Sequence, residues 1–178
     1  MIHSKGGVLA VQPSVGVFGY IEPGLYIIET LDDRFLSIGP VPPIYPPVDV
    51  PVRLSNSPPL EEIWDVRPVD DGGYTIRQRG DSKMTYGLNQ DQGKAVIVSA
   101  RKAPQSWAVN NAGDGLFTIG VVNQDSLVTV NREEFPPVVL RPANGSPDQH
   151  WRFVRVDRFS STRGGMYGKS RFNLQCGL

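Results

Sequence analysis

One phrase recurs along this chain and restricts its fold more than any other feature. Gly24-Leu25-Tyr26-Ile27-Ile28, Gly72-Gly73-Tyr74-Thr75-Ile76 and Gly115-Leu116-Phe117-Thr118-Ile119 all read Gly-x-aromatic-x-Ile. A tryptophan phrase interleaves with it at Trp64-Asp65-Val66, Trp107-Ala108-Val109 and Trp151-Arg152-Phe153. Trp64 and Trp107 are 43 residues apart, and Trp107 and Trp151 are 44 apart. A period of this length, carried by strand-like phrases, marks a repeat architecture.

The 16 prolines and 19 glycines leave no window of amphipathic helical period intact. Four strands are expected in each repeat. The first has residues 24–31, 34–38, 51–55 and 63–69; the second has 74–79, 84–88, 95–99 and 106–111; the third has 116–122, 127–131, 137–142 and 150–156. Alternation supports them. Trp64, Val66 and Pro68 fall on one face against Asp65 and Arg67, as do Trp151, Phe153 and Arg155 against Arg152 and Val154. Asp70-Asp71-Gly72-Gly73, Gly80-Asp81 and Asn144-Gly145 supply turn residues between them. Twelve strands in three four-strand repeats of about 43 residues are the arithmetic of an all-β β-trefoil, six strands in a barrel and six in capping hairpins. A propeller of the same repeat length needs about four blades or more.

This organisation gives a leader over 1–19, a trefoil domain over 20–157 and a tail over 158–178. Lys plus Arg equals Asp plus Glu at 18 each, so no strong field draws the protein to nucleic acid or membrane. The tail carries Arg158, Arg163, Lys169 and Arg171 without an acid and is expected to be disordered. Its Cys176 is the single cysteine, so the core forms without a disulfide. That suits a reducing compartment, and the leader's apolar stretch is interrupted by Gln12-Pro13-Ser14, unlike a signal peptide. A cytoplasmic monomer is expected.

Enzyme chemistry finds little support. His3 and His150 are the only histidines, and no nucleophile–base set or metal-ligand spacing can be assembled around them. The carboxylate pairs Asp32-Asp33, Asp70-Asp71 and Glu133-Glu134 fall at turns, where solvated acids are ordinary. No enzyme activity, cofactor or metal is expected. Short matches such as Pro42-Pro43-Ile44-Tyr45, Arg79-Gly80-Asp81, Gly168-Lys169-Ser170 and Asn144-Gly145-Ser146 lack the structural context their motifs require.

Recognition chemistry is better supplied. The 39–49 connection in the first repeat holds five prolines in eleven residues, among them Pro42, Pro43 and Pro46 around Ile44 and Tyr45. Each proline fixes its own φ and biases the preceding residue toward extended backbone, giving a stiff protrusion. Rigidity before contact lowers the ordering cost of association. As an alternative, Asp81, Tyr86, Asn89 and Gln92 of the second repeat combine an acid, an aromatic and amides, the set a sugar site uses. The third repeat offers Asp125 and Asn131.

The phrase Pro23-Gly24-Leu25-Tyr26-Ile27-Ile28, the pair Trp64-Asp65-Val66 and Gly73-Tyr74-Thr75-Ile76, and the close Gln149-His150-Trp151-Arg152-Phe153 resemble the fungal β-trefoil protease inhibitors of the cospin and mycocypin kind. These lie within the wider ricin B-type lectin-like trefoil group, whose Gln-x-Trp phrase matches Gln105-Ser106-Trp107 and Gln149-His150-Trp151. The resemblance covers about residues 20–156. It implies inhibition of a serine endopeptidase through the loop between the second and third strands, here 39–49. That loop has no Lys or Arg, so Ile44 or Tyr45 would fill an apolar specificity pocket in place of a trypsin-directed cation. Papain-like proteases are the second class implied, through the loops at 31–34 and 55–62. The legumain-blocking asparagine of mycocypins has no counterpart at 80–82. The runner-up implication is a ricin B-like carbohydrate-binding lectin.

Overall fold

The computed structural model describes residues 20–38, 40–56, 63–78 and 85–156. In chain order its first strands are β1 (Gly24–Thr30), β2 (Phe35–Ser37), β3 (Val50–Pro51), β4 (Arg53–Ser55) and β5 (Trp64–Pro68). Next come β6 (Tyr74–Gln78), β7 (Tyr86–Gln90), β8 (Val96–Ser99) and β9 (Trp107–Gly113). The last are β10 (Leu116–Val121), β11 (Leu127–Val130), β12 (Val138–Arg141) and β13 (Trp151–Arg155). A 3-10 turn, Pro147–Gln149, precedes β13.

Antiparallel pairing runs from β1 to β5, β6, β9, β10, β13 and back to β1, so these six strands close into a barrel. Closure removes the unpaired edges that an open sheet presents. Three hairpins extend from it: β2 with β4, β7 with β8, and β11 with β12. They meet one another through β3 on β8, a bridge between Ala95 and Val139, and a bond from Leu140 N to the Lys94 carbonyl.

The recurrent phrases have a physical reason. Trp64, Trp107 and Trp151 are fully buried, and each indole Nε1 donates 3.0 Å to a backbone carbonyl on a hairpin strand, of Leu36, Leu88 and Val128 respectively. A buried indole needs a partner for its N–H, and each tryptophan thereby ties a barrel strand to the hairpin before it. The aromatics of the glycine phrases pack nearby: Phe153 lies edge-on to both Tyr26 and Phe117, with centroids 5.8 and 5.4 Å away. The glutamine of the Gln-x-Trp phrase is structural. Gln149 is buried, accepts from Asn144 N at 2.9 Å and donates to the Pro142 carbonyl at 2.8 Å. Gln105 accepts from Gln90 N in the same manner.

The observed strands depart from the expected twelve. Residues 51–55 form two strands because the chain changes partner at Val52. Val50 and Pro51 pair with β8, Val52 N bonds the Val96 carbonyl at 2.9 Å, and Arg53–Ser55 pair with β2. The expected inward faces hold at Trp64, Val66 and Trp151, while Phe153 is half-buried and Pro68 and Arg155 are exposed where the strands run out. The turns at Gly72 and Gly145 have φ of 82° and 70°, where glycine avoids the Cβ penalty. The Gly80-Asp81 turn lies outside the described residues, as do the leader, the tail and the Arg79-Gly80-Asp81 tripeptide.

Candidate functional site

The first hairpin connection runs between the paired residues Ser37 and Arg53, and all of it but Gly39 is described. Its two ends are anchored. Val41 packs against the core on the way out and Pro47 is buried on the way back. Asp49 then forms an ion pair with Lys102 Nζ at 2.9 Å. Partial burial pushes the Asp49 carboxyl up, but hydrogen bonding from Ser99 and the Lys102 ammonium outweigh it and hold it below its ordinary value. Between the anchors, Ile44 N donates to the Pro42 carbonyl at 2.8 Å, closing a three-residue turn about Pro43. The Tyr45–Pro46 peptide bond is cis. The apex is solvent-facing: Pro42, Pro43 and Pro46 are exposed, Ile44 is 53% exposed and Tyr45 93%.

An exposed phenol and a branched alkyl group on a braced loop have one obvious capability, insertion into an apolar pocket of a partner. Tyrosine brings large apolar area with few rotors to order, and such anchors dominate many interfaces.

The alternative sugar set is not assembled as an exposed site. Tyr86 is 7% and Asn89 5% exposed, because β7 is covered on both faces, and Asn89 Nδ2 is spent on the Gly87 carbonyl at 3.0 Å. Gln92 is exposed in the short turn that follows, and Asp81 lies outside the described residues. In the third repeat, Asp125 accepts from Ala143 N, and Asn131 donates to the Glu134 and Pro136 carbonyls. Asp125 thus ties its turn to the segment after β12, and Asn131 stabilises its own loop.

Of the two segments implied for papain-like proteases, 31–34 is described, whereas 57–62 lies outside the described residues. The first is locked by charge. Asp32 accepts from Thr30 Oγ1 at 2.5 Å, pairs with Arg34 at 3.0 Å and reaches Arg132 at 3.0 Å, which also holds Asp148 at 2.6 Å. The Thr30 hydroxyl first, then Arg34 and Arg132, hold the Asp32 carboxyl well below the usual carboxylate range. A carboxyl depressed on folding contributes stability above its unfolded pKa of about 3.9, and that contribution fades as pH falls toward the folded value. The side chain is 39% exposed, so the network contributes no more than about 1 kcal/mol. Asp32→Asn is expected to be slightly less stable at pH 7 and to lose less stability than wild type between pH 7 and pH 3. Urea midpoints at both pH values read this directly, and equal losses would contradict it.

The sequence reading missed the third hairpin's connection, 131–137, where Phe135 is 69% exposed. Its signal was present in the sequence, since Tyr45-Pro46-Pro47-Val48 recurs as Phe135-Pro136-Pro137-Val138. Among the described residues, no group of three or more His, Cys, Asp or Glu side chains is placed to hold a metal ion.

A six-strand barrel with three attached hairpins is an all-β, trefoil-like fold, and solved structures of that kind match it. A proteinase inhibitor from Coprinopsis cinerea superimposes with a TM-score of 0.62 at 19% identity, over 77% of this chain and 100% of its own. The ricin B-like lectin of Macrolepiota procera, solved with lactose, gives 0.57 at 14% identity, over 78% and 100%. A designed threefold-symmetric protein, ThreeFoil, gives 0.60 at 17% identity, over 75% and 99%. No family model and no curated protein matches the sequence. At these identities the likeness establishes the fold and leaves function to the site.

Proposed function

We propose that this protein is a reversible inhibitor of endopeptidases, of the serine class, which seats the 39–49 loop in the active-site cleft. The loop stands on a trefoil of three repeats, and its cargo for the specificity pocket is Tyr45 or its neighbour Ile44. One observation carries the reading: Tyr45 is 93% exposed at the apex of a proline-rich loop pinned by Pro47 and the Asp49–Lys102 pair. A monomeric protein would gain nothing for its own stability from such exposure, whereas a preformed anchor lowers the ordering cost of binding. The proteinase inhibitor among the structural neighbours is consistent with it. The protein needs no chemistry of its own, since occupancy of the cleft excludes substrate.

The lectin reading loses its aromatic platform with Tyr86 buried. The test is residual activity of α-chymotrypsin, elastase, trypsin and papain mixed with the purified protein, beside binding to a glycan array. Inhibition of α-chymotrypsin or elastase is expected. Trypsin should be spared, because its pocket selects a cation that this loop lacks. Glycan binding without inhibition of any enzyme at micromolar concentration would overturn the proposal.

A further inference from the structure

The 131–137 connection repeats the design of the 39–49 loop at another place on the molecule. Both join the two strands of their hairpin, and both carry aromatic-Pro-Pro-Val, although the first connection is longer. The corresponding connection of the second repeat, Asp91-Gln92-Gly93-Lys94, closes with a bond from Asp91 N to the Ala95 carbonyl and has no aromatic. The hairpin therefore closes without an exposed ring. Phe135, 69% exposed, needs another explanation.

The backbone around Phe135 is set from within the loop. Asn131 Nδ2 donates to the carbonyls of Glu134 at 3.1 Å and Pro136 at 3.3 Å, one on each side of the phenylalanine. Asn131 N donates to the Pro137 carbonyl at 2.8 Å, and its Oδ1 accepts from Arg141 at 3.0 Å. The one basic residue of the loop, Arg132, is held by Asp32 and Asp148. What the loop offers a partner is a phenyl ring on a fixed backbone, with Glu133 and Glu134 exposed beside it.

We propose that 131–137 is a second protease-recognition site, presenting Phe135 to the apolar specificity pocket of an endopeptidase that prefers aromatic side chains. The assignment rests on the inhibitor reading above. Asn131 acts here as a positioning residue, fixing the carbonyls on both sides of the ring, so that little conformational freedom is lost when the ring is buried.

The test uses the full chain and α-chymotrypsin, comparing wild type, Tyr45→Gly, Phe135→Gly and the double variant. Both side chains are exposed, so all four proteins should fold, and their urea midpoints should agree. Tyr45→Gly should still inhibit, and adding Phe135→Gly to it should raise the inhibition constant by about thirtyfold, as loss of a central anchor does. If wild type inhibits but Tyr45→Gly and the double variant agree within about twofold, below the effect of any anchor, the second site is refuted, and the first loop stands where both variants inhibit more weakly than wild type. If Phe135→Gly alone abolishes inhibition while Tyr45→Gly does not, the second site holds and the 39–49 reading falls. No inhibition of α-chymotrypsin by wild type overturns both.

Discussion

Trp107→Ala is expected to lower the stability of the domain by about 3 to 5 kcal/mol, the largest effect of any single substitution considered. The indole is fully buried, so truncation removes its transfer free energy and leaves a cavity in the middle of the barrel. It also strips the Leu88 carbonyl of the Nε1 donor at 3.0 Å. Domains of this size are stable by only about 5 to 15 kcal/mol, so the variant should unfold at far lower denaturant or fail to accumulate. Trp64→Ala and Trp151→Ala should behave alike, because each ring makes the same kind of bond to its hairpin. Urea titration reads the difference, and a loss below about 1 kcal/mol would show that the tryptophans do not tie barrel to hairpins.

Tyr45→Gly should do the opposite, leaving stability within about 0.5 kcal/mol of its reference and weakening inhibition. Measured in a Phe135→Gly background, so that one loop is read at a time, it is expected to weaken α-chymotrypsin inhibition by about thirtyfold. The reasoning is one of exposure: a ring 93% accessible has little to lose on folding and much to bury on binding. Ile44→Gly, half as exposed, should cost less if Tyr45 is the anchor and more if Ile44 is. An unchanged inhibition constant for both variants would remove the loop from the mechanism while leaving the fold intact.

The barrel was readable because its determinants are local and repeated. Trp64, Trp107 and Trp151 sit at nearly even spacing, and the glycines of the Asp71-Gly72 and Asn144-Gly145 turns adopt the positive φ that such turns need. What escaped the sequence depends on neighbours far away in the chain. The break at Val52 is a change of partner between β2 and β8, which depends on strands distant in the chain and is invisible in the run Pro51–Ser55 by itself. Tyr86 and Asn89 look like surface residues by type, yet β7 is covered on both faces, so the period of two that marks a half-exposed strand is missing. The apex of the 39–49 loop could be placed from its prolines, since proline restricts the backbone whatever surrounds it. The 131–137 loop repeats the aromatic-Pro-Pro-Val phrase of the first loop, but its rigidity comes from the Asn131 side chain folding back on the Glu134 and Pro136 carbonyls, which composition does not reveal.

The most direct test of the central claim is the affinity of the wild-type protein for α-chymotrypsin with its active site open and with its specificity pocket filled by a covalent peptide inhibitor. An anchor that enters the cleft predicts binding to the open enzyme and a loss of about a hundredfold or more to the blocked one. Equal affinity for the two forms, or none for either, would contradict it.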